Sequence, residues 1–363
     1  MSSPNGEPWY SQNSKDLDVI ISSKVTVSRN LANFPFTDSF KLDDAERVQS
    51  LIFDAFSQFQ QKNEDILFHA IVSSELDGEG RKLLEERGVF KPESTNKKEQ
   101  ETAVIMSLDG QTSCTVNYKD HLRLSTYRNG LSVRKCFETA LKIDEGLQSF
   151  LQFAASYDFG YLNHSFRDCG SGLKLSARIH IPGIVKTGHL SDVVSYLESY
   201  KYKIKPVYNE NNTGVFYQVS TASCMKGSEL DQLAEFEGVC KFIAESERKI
   251  SREYADNKKT IVRNSVIRSY SLAKSSLLVP YREAVSLISE IKFARDYGFL
   301  SGIEDSQLCG LLYRIQPAHL SFLLKDGNFQ FEKDISGDKG AMIDRLRALI
   351  LQEAFEKISL GNI

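Results

Sequence analysis

The stretch AVIMSLDGQTSCTVNYKDHLR, residues 103–123, decides the fold class. Its two β-rich runs, Ala103–Leu108 and Ser113–Asn117, are joined by Asp109-Gly110. This dipeptide readily supplies the positive φ angles of a tight turn, so the stretch predicts a β-hairpin. A hairpin makes at least part of the sheet antiparallel. Because strand and helix patterns alternate on both sides of it, we expect an α+β fold and not a doubly wound parallel sheet.

Elements outside the hairpin follow from hydrophobic spacing. Residues 1–18 are polar and are expected to form a flexible lead-in. Apolar residues recur every three or four positions between Asp43 and Phe59, which predicts a helix. The other predicted elements in this part of the chain are a strand at Ile66–Ser73, a helix at Gly80–Glu86, a solvated loop at Lys91–Glu101, a helix at Val133–Tyr157, a strand at Leu173–Ile184, a helix at Ser191–Ser199, a strand at Val215–Ser220 and a long helix near Glu229–Ala255.

The pattern changes near residue 257. Helical spacing dominates from there to the C-terminus, and strand patterns nearly disappear. A chain of 363 residues also suits about two domains. We therefore expect an antiparallel-sheet α+β domain at residues 19–255, followed by an all-helical domain at residues 257–363.

The composition of the chain argues against several classes of function. The chain carries 45 Lys and Arg against 48 Asp and Glu, a net charge of −3 with a pI near 6.1, so no basic field favours nucleic acid. No stretch has a secretory signal pattern or ~18 consecutive apolar residues, so neither export nor a membrane span is expected. The six cysteines are scattered, without the close Cys or His pairs of a structural zinc site. We expect reduced thiols in a cytoplasmic protein.

Isolated motifs leave alternatives open. The GSG stretch, residues 170–172, either brings backbone N–H groups close to a phosphate or forms an ordinary turn. The KYKIK stretch, residues 201–205, interleaves charge with aromatic side chains, but its period of two favours a half-exposed strand with the lysines outward. The ionisable side chains of DHLR, residues 120–123, suit phosphate or acid–base chemistry, and equally a salt bridge at the end of a strand. A serine hydrolase built on Ser165 is disfavoured because no GxSxG elbow is present.

Five motifs in a fixed order are more informative than any one of them. SSKVTVSRNL at residues 22–31 resembles the SSRxRxxRNL segment of the phosphagen (ATP:guanido) kinase family, and NYKDHLR at residues 117–123 resembles its NEEDHLR. GYL to GSGLK, residues 160–174, resembles GYLxxCPxNxGTGLR, and QVS with GSE, residues 218–229, resembles QISNxxxxGxSE. LYRIQPAHL at residues 312–320 resembles the QPA(F/H)L helix of the bacterial protein-arginine kinases.

The resemblance spans about residues 19–355, and it implies a guanido-kinase catalytic domain followed by a helical domain of the phosphoarginine-binding kind. Members of this family transfer the γ-phosphoryl group of ATP to a guanidinium, with Mg²⁺ bridging the phosphates. Arginines surround the triphosphate because the transition state spreads negative charge over the phosphoryl oxygens. Glutamates hold the guanidinium and accept its proton, and a cysteine lies beside it. The implied cofactor is ATP with Mg²⁺ if nucleotide binding is retained, and otherwise there is none.

The positions that bind the nucleotide in the resembled family contain few arginines in this chain. Of five expected phosphate-binding arginines only Arg123 clearly remains, because two positions have become lysine and two have become uncharged residues. Lysine keeps the positive charge but loses the bidentate fork of arginine. The nucleotide-binding positions that the motifs imply are Lys24, Thr26, Arg29, His121, Arg123, Lys174 and Asn209.

The guanidinium side departs further from the family. The catalytic positions implied by the motifs are Tyr118 and Lys119 for the two glutamates of NEEDHLR, Thr213 for a third glutamate, and Ser165 for the cysteine. Lysine has the wrong sign of charge for binding a guanidinium, since two like charges ~4 Å apart cost about 4 kcal/mol at an effective dielectric of about 20. We therefore expect a catalytically impaired pseudokinase that acts through protein or phosphoarginine binding.

Two alternatives stay open. One is an active ATP-dependent protein-arginine kinase in which another acid serves as the base. The other is a scaffold whose former nucleotide cleft binds a different anion.

The C-terminal motif IDRLR, residues 343–347, resembles the RDxxR element of a phosphoarginine-binding pocket. Asp344 and Arg347 match that element and, three residues apart, share one helix face. The aspartate would take the guanidinium and the arginine the phosphate, although an ion pair on the helix surface explains both residues equally well. The resemblance also implies partners, namely a small zinc-binding activator protein, arginine-containing or phosphoarginine clients, and a second copy in a homodimer.

Overall fold

The structure is a computed structural model, and it describes residues 8–63, 66–90, 102–208, 213–224 and 227–361. The loop predicted at Lys91–Glu101 and the expected site residue Asn209 lie outside these ranges. The helices within the described ranges are α1 (Leu42–Lys62), α2 (Gly78–Glu86), α3 (Val133–Gln148), α4 (Pro182–Lys186), α5 (Leu190–Ser199), α6 (Glu229–Asn257), α7 (Lys259–Ser275), α8 (Tyr281–Asp296), α9 (Asp305–Arg314), α10 (Pro317–Asp326) and α11 (Lys339–Ala354).

The strands of the described ranges are mostly short. They are β1 (Ile20–Arg29), β2 (Phe68–Val72), β3 (Ala103–Ser107), β4 (Thr112–Val116), β5 (Leu122–Asn129), β6 (Ala155–Ser156), β7 (Gly160–Tyr161), β8 (Leu173–His180), β9 (Tyr202–Pro206), β10 (Phe216–Thr221), β11 (Leu300–Ser301) and β12 (Ser359–Leu360). Eight of them form one sheet in the order β2-β3-β4-β5-β1-β8-β10-β9.

The hairpin predicted at the centre of the sequence is present. Strands β3 and β4 pair antiparallel, with Ile105 opposite Cys114. The turn between them has Gly110 at φ 68°, and the Gln111 N–H donates to Asp109 Oδ1 at 2.9 Å. The neighbouring pairs β2–β3, β4–β5 and β1–β5 are antiparallel as well, which confirms the α+β expectation.

The two faces of strands β1 and β5 differ in chemistry. On one face the cross-strand partners Val27 and Leu124 are apolar and buried. The Thr126 hydroxyl on the same face donates to the Cys136 carbonyl of α3 at 2.8 Å, so α3 covers this face. We call the opposite side the polar face, and it carries Lys24, Thr26, Ser28, Arg123 and Ser125.

The helix predicted at Val133–Tyr157 ends earlier, because α3 stops at Gln148. Helical spacing misled the prediction here, since the buried Leu151 continues the apolar pattern beyond the helix. Phe153 instead forms an isolated antiparallel bridge with Leu31.

Contacts divide the chain into two compact units. The first comprises Met1–Gln12, Ser22–Ser176 and Ser220–Gly238, and the second comprises Asn13–Ile21, Ala177–Val219 and Val239–Ile363. In the second unit, Leu17, Ile21 and Phe216 share one buried core with apolar residues of α7, α8, α9 and α11. The two domains expected from the sequence, divided near residue 257, are a different partition and stay a prediction.

The segment expected to be a flexible lead-in is packed where the structure describes it. In the first unit, Trp9 is buried and its ring stacks on Tyr127, with the ring centroids 5.8 Å apart. In the second unit, Arg248 of α6 forms ion pairs with Asp16 at 2.8 Å and with Asp18 at 2.6 Å. The polar composition of this segment therefore reflects ion pairing as well as exposure to solvent.

Candidate functional site

Lys24 and Thr26 lie on the polar face of β1, and both bond to protein groups. The Lys24 ammonium donates to the Gly88 carbonyl at 3.0 Å and lies 4.9 Å from the centre of the Tyr127 ring. Burial alone would raise the pKa of Tyr127, but the Lys24 charge and the hydroxyl hydrogen bonds lower it. The Thr26 hydroxyl bonds to Ser125 Oγ at 2.9 Å.

Arg29 points away from the polar face. Side chains alternate between the two faces of a strand, and Arg29 lies five residues after Lys24 in β1. Its side chain is therefore on the opposite face, which α3 covers. There the guanidinium forms a buried ion pair with Asp144 at 2.7 Å and donates to the Ser28 and Ser171 carbonyls at 2.9 Å. It also stacks 3.6 Å from the centre of the Tyr161 ring.

Asp120 and His121 form the buried part of the DHLR motif. Asp120 Oδ1 accepts hydrogen bonds from Asn30 Nδ2 at 3.0 Å and from the His164 N–H at 2.8 Å. The His121 ring accepts the Leu31 N–H at Nδ1, at 2.9 Å, and its Nε2 lies 2.8 Å from the Pro35 carbonyl.

The His121 ring is neutral in this environment. Burial lowers the pKa of His121 to about 4, although the Pro35 carbonyl and Asp120 act in the opposite direction. A neutral ring that accepts at Nδ1 carries its proton at Nε2, which donates to Pro35. The ring stacks on Phe40 at 4.8 Å, and it therefore secures the connection that precedes α1.

Arg123 differs from the other cations of the motifs. It lies in β5 on the polar face, between Ser28 of β1 and Thr115 of β4, and its side chain is partly exposed. Within the part of the chain that the structure describes, its guanidinium has no hydrogen-bond or ion-pair partner. This side chain is therefore free to bind an anion.

Tyr118 and Lys119 occupy the connection between β4 and β5. The Tyr118 ring packs 5.6 Å from the Phe90 ring, against a small cluster that includes Leu84 and Val104. Lys119 is exposed; its backbone carbonyl accepts the Thr37 hydroxyl at 2.7 Å. Among the described residues, no acid neutralises the Lys119 ammonium group.

The GSG loop is a tight turn held close to β1. Gly172 has φ 65°, and a Cβ atom there would lie 2.6 Å from the Ser28 carbonyl oxygen, so the position requires glycine. Lys174, just after the loop, forms an ion pair with Asp168 at 2.6 Å. Ser165 is partly buried at the start of the short turn that contains Asp168.

Asp144 and Asp168 are the site residues that sequence reasoning missed. Each neutralises a cation that the motifs assign to the nucleotide. Asp144 left a signal, because it falls on the buried stripe of α3 between Ala140 and Leu147, where an unpaired acid would be costly. No comparable pattern marks Asp168.

Thr213 lies in the second unit, at the start of the short turn Thr213–Val215 that precedes β10. The other described positions of the proposed catalytic site lie in the first unit. Among the described residues, no group of three or more His, Cys, Asp or Glu side chains is placed to hold a metal ion.

Asp344 and Arg347 form an ion pair on α11. The Arg347 side chain is buried, and it donates to the carbonyls of Ile315 and Val279 at 2.8 Å each. Asp344 accepts from Arg347 and remains partly exposed. Arg347 thus ties α11 to two neighbouring segments of the second unit.

The family model of the ATP:guanido phosphotransferase C-terminal catalytic domain matches residues 47–250, more than half of the chain. The chain belongs to the ATP:guanido phosphotransferase family. Residues 259–362 match the model of the protein-arginine kinase McsB C-terminal domain. In addition, none of the described helices is both long and apolar enough to cross a membrane.

Curated relatives of this family member are protein-arginine kinases. That of Halothermothrix orenii is 28% identical over 330 residues, which are 90% of this chain and 93% of the relative. That of Bacillus cereus strain B4264 is 26% identical over 317 residues, covering 86% of this chain and 88% of the relative.

Solved structures agree with the fold. The crystal structure of lombricine kinase aligns with a TM-score of 0.56 and 16% identity, over 66% of this chain and 68% of that one. The duplicated taurocyamine kinase of Schistosoma mansoni also gives 0.56 and 16%, over 67% of this chain but only 35% of that longer one. At this identity the likeness concerns the fold alone, and it confirms the expected guanido-kinase type.

Proposed function

We propose that this chain is a protein-arginine-kinase-like pseudokinase, in which phosphoryl transfer to guanidinium groups is lost or nearly lost and function lies in binding proteins. The proposal rests mainly on the position and charge of Lys119. Its side chain is exposed where the resembled NEEDHLR motif has a glutamate, and no described acid neutralises it.

The charge of Lys119 opposes the family reaction in two ways. Its ammonium group repels a guanidinium, at about 4 kcal/mol for ~4 Å and an effective dielectric of about 20. An ammonium group also has no lone pair, so it cannot take the proton that the guanidinium must lose before it attacks a phosphoryl group. Tyr118, the neighbouring glutamate position, supplies no carboxylate.

The phosphate side supports the same proposal. ATP with Mg²⁺ would need several free cationic donors. Arg29 is committed to the buried Asp144, and the Lys174 charge is balanced by Asp168. Arg123 keeps its guanidinium free among the described residues, and one arginine is a weak match for a triphosphate. We therefore infer that these residues fit ATP·Mg²⁺ poorly.

Binding of phosphoarginine by Asp344 and Arg347 receives less support than binding of proteins. The Arg347 guanidinium is buried and already donates to two backbone carbonyls. A phosphate would have to displace these bonds. We assign the pair to holding α11 in place.

The second candidate function is an active ATP-dependent protein-arginine kinase. The observation that favours it is the free guanidinium of Arg123, which is suitable for a phosphate oxygen. Such an enzyme would need a base other than the residues at positions 118 and 119.

The remaining expectations concern the cellular location and the binding partners of the protein. We propose a bacterial, cytoplasmic protein that works with a small zinc-binding activator protein, with arginine-containing or phosphoarginine clients, and as a homodimer. These proposals rest on the resemblance to protein-arginine kinases.

Nucleotide binding separates the two candidates. We expect ATP with Mg²⁺ at millimolar concentration to leave the melting temperature nearly unchanged, whereas a ligand at 100 times its Kd adds about 2.7 kcal/mol to the stability of the folded state. The protein-arginine kinase of Halothermothrix orenii serves as the control. A clear shift, together with acid-labile phosphate on an arginine-rich substrate, would overturn the proposal.

A further inference from the structure

Strand β9 forms one end of the eight-stranded sheet, and it carries the KYKIK stretch except Lys201, which immediately precedes the strand. Among the described strands its only hydrogen-bonded neighbour is β10, so its outer edge is unpaired. An unpaired edge offers backbone N–H and C=O groups to another extended segment. This is the first of three features that meet at this edge.

The second feature is a local excess of positive charge. Lys201, Lys203 and Lys205 are exposed, and within the described part of the chain none of their ammonium groups has an ion-pair or hydrogen-bond partner. The acids nearest to these three lysines in sequence are Glu198 and Glu210, although the chain as a whole has a net charge of −3. The charge at this edge is therefore opposite in sign to that of the molecule.

The third feature is an exposed aromatic group beside the lysines. Tyr196 and Tyr200 on α5 contact each other at 5.1 Å between ring centroids, and Tyr196 contacts Phe242 of α6 at 4.6 Å. Tyr200 is 43% exposed and Phe242 is 50% exposed. Clustered exposed aromatic side chains are typical of surfaces that bind other proteins.

Together these features form what we call the β9 edge surface: Tyr196, Tyr200, Lys201, Lys203, Lys205 and Phe242. We propose that it binds an acidic, extended segment of a partner protein, which adds a strand to the free edge of β9. Backbone groups supply the pairing, the lysines select for acidic side chains, and the aromatic rings cover the apolar ones. This inference lies beyond the proposed loss of phosphoryl transfer and needs no nucleotide.

Lysines on an edge strand also have a protective role, since they keep copies of a protein from pairing edge to edge. Protection requires charge alone, however, and it does not explain why the Tyr200 and Phe242 rings are exposed. Repulsion between copies and attraction of an acidic partner are compatible, because both follow from the same positive charge.

The test uses the full chain and a fluorescein-labelled ten-residue peptide that alternates glutamate with valine or threonine. Fluorescence anisotropy should detect its binding, whereas a matched peptide with lysine in place of glutamate should not bind. The double variant Lys203→Glu/Lys205→Glu should weaken binding of the acidic peptide at least tenfold. Tyr200→Ser/Phe242→Ser should weaken it several-fold at unchanged net charge.

The matched control is Lys135→Glu/Lys142→Glu, which makes the same change of charge at exposed positions of α3 and should leave the affinity unchanged. Circular dichroism and the melting temperature report whether each variant folds. Hydrogen exchange should slow at the amides of Tyr202 and Ile204, which alternate with amides facing β10, when the acidic peptide binds, as strand addition requires.

Three results would overturn the inference. The acidic peptide does not bind the wild-type chain, or the β9 variant binds it as tightly as the control does. Alternatively, a single-stranded ten-nucleotide oligonucleotide binds more tightly than the peptide and loses its affinity in the β9 variant, which would make this edge a nucleic-acid surface.

Discussion

Arg29 and Arg123 show that the face of the sheet on which an arginine lies decides whether it can bind a ligand. Both come from motifs that the resemblance assigns to the nucleotide, and their strands pair directly. Arg123 lies on the polar face without a partner among the described residues, whereas Arg29 lies under α3 in a buried ion pair with Asp144. One residue is available for a ligand, and the other belongs to the core.

Substitution should separate these two roles. We expect Arg29→Met to lower the free energy of unfolding by about 3–5 kcal/mol, because it leaves the buried Asp144 without its counter-charge. Arg123→Met should change it by less than about 0.5 kcal/mol. Urea denaturation of the two variants measures both effects. Equal losses would contradict the assignment of Arg29 to the core.

At the scale of elements, the connection from β1 to α1 is organised around one histidine. His121 accepts the Leu31 N–H, bonds to the Pro35 carbonyl and stacks on Phe40. The connection therefore depends on a neutral imidazole ring with no proton on Nδ1, because a protonated ring could not accept the Leu31 N–H.

This dependence predicts loss of stability in acid. Burial lowers the pKa of His121 from 6.5 to about 4 in the folded chain, so below pH 6.5 the unfolded chain binds the proton more tightly. The contribution of His121 is complete above pH 6.5 and is lost as the pH falls to 4, by about 3 kcal/mol in total. Urea denaturation between pH 7 and pH 4 measures the slope.

Two variants isolate the effect of His121. His121→Gln should be less stable than the wild type at pH 7 and should show a shallower dependence on pH between 6.5 and 4. His69→Gln changes an exposed histidine of β2 that has no ion-pair partner among the described residues, and it should keep the wild-type slope. Identical slopes for the wild type and His121→Gln would show that the ring titrates normally.

At the scale of the whole molecule, local signals predicted the fold well. The Asp109-Gly110 turn identified the antiparallel hairpin, and apolar spacing identified α1, which extends slightly beyond the predicted bounds. Spacing failed at the end of α3, because buried residues in irregular backbone continue the pattern. Hydrophobic periodicity indicates which residues are buried, and buried residues can continue the same pattern beyond the end of a helix.

The motifs supply positions for a candidate site, which stay a prediction, but they do not predict the pairings of its residues. The motifs identified Lys119 and Arg123, whose lack of described partners leaves their charges as the sequence implies. The partner of Arg29 lies 115 residues away in another element, and no single-sequence pattern connects the two. Lys174 and Asp168 are six residues apart, but only the turn between them brings their side chains together.

We propose that charge at the β4–β5 connection blocks phosphoryl transfer in an otherwise intact guanido-kinase fold. The most direct test measures acid-labile phosphate transferred from ATP to an arginine-rich protein by the wild type, by Lys119→Ala and by Tyr118→Glu/Lys119→Glu. We expect no transfer by the wild type and a low activity in the double variant that rises with ATP concentration without saturating, since the missing phosphate-binding donors still cost about 1.5–3 kcal/mol each. Transfer by the wild type at a rate that Lys119→Ala leaves unchanged would show that Lys119 does not block the reaction.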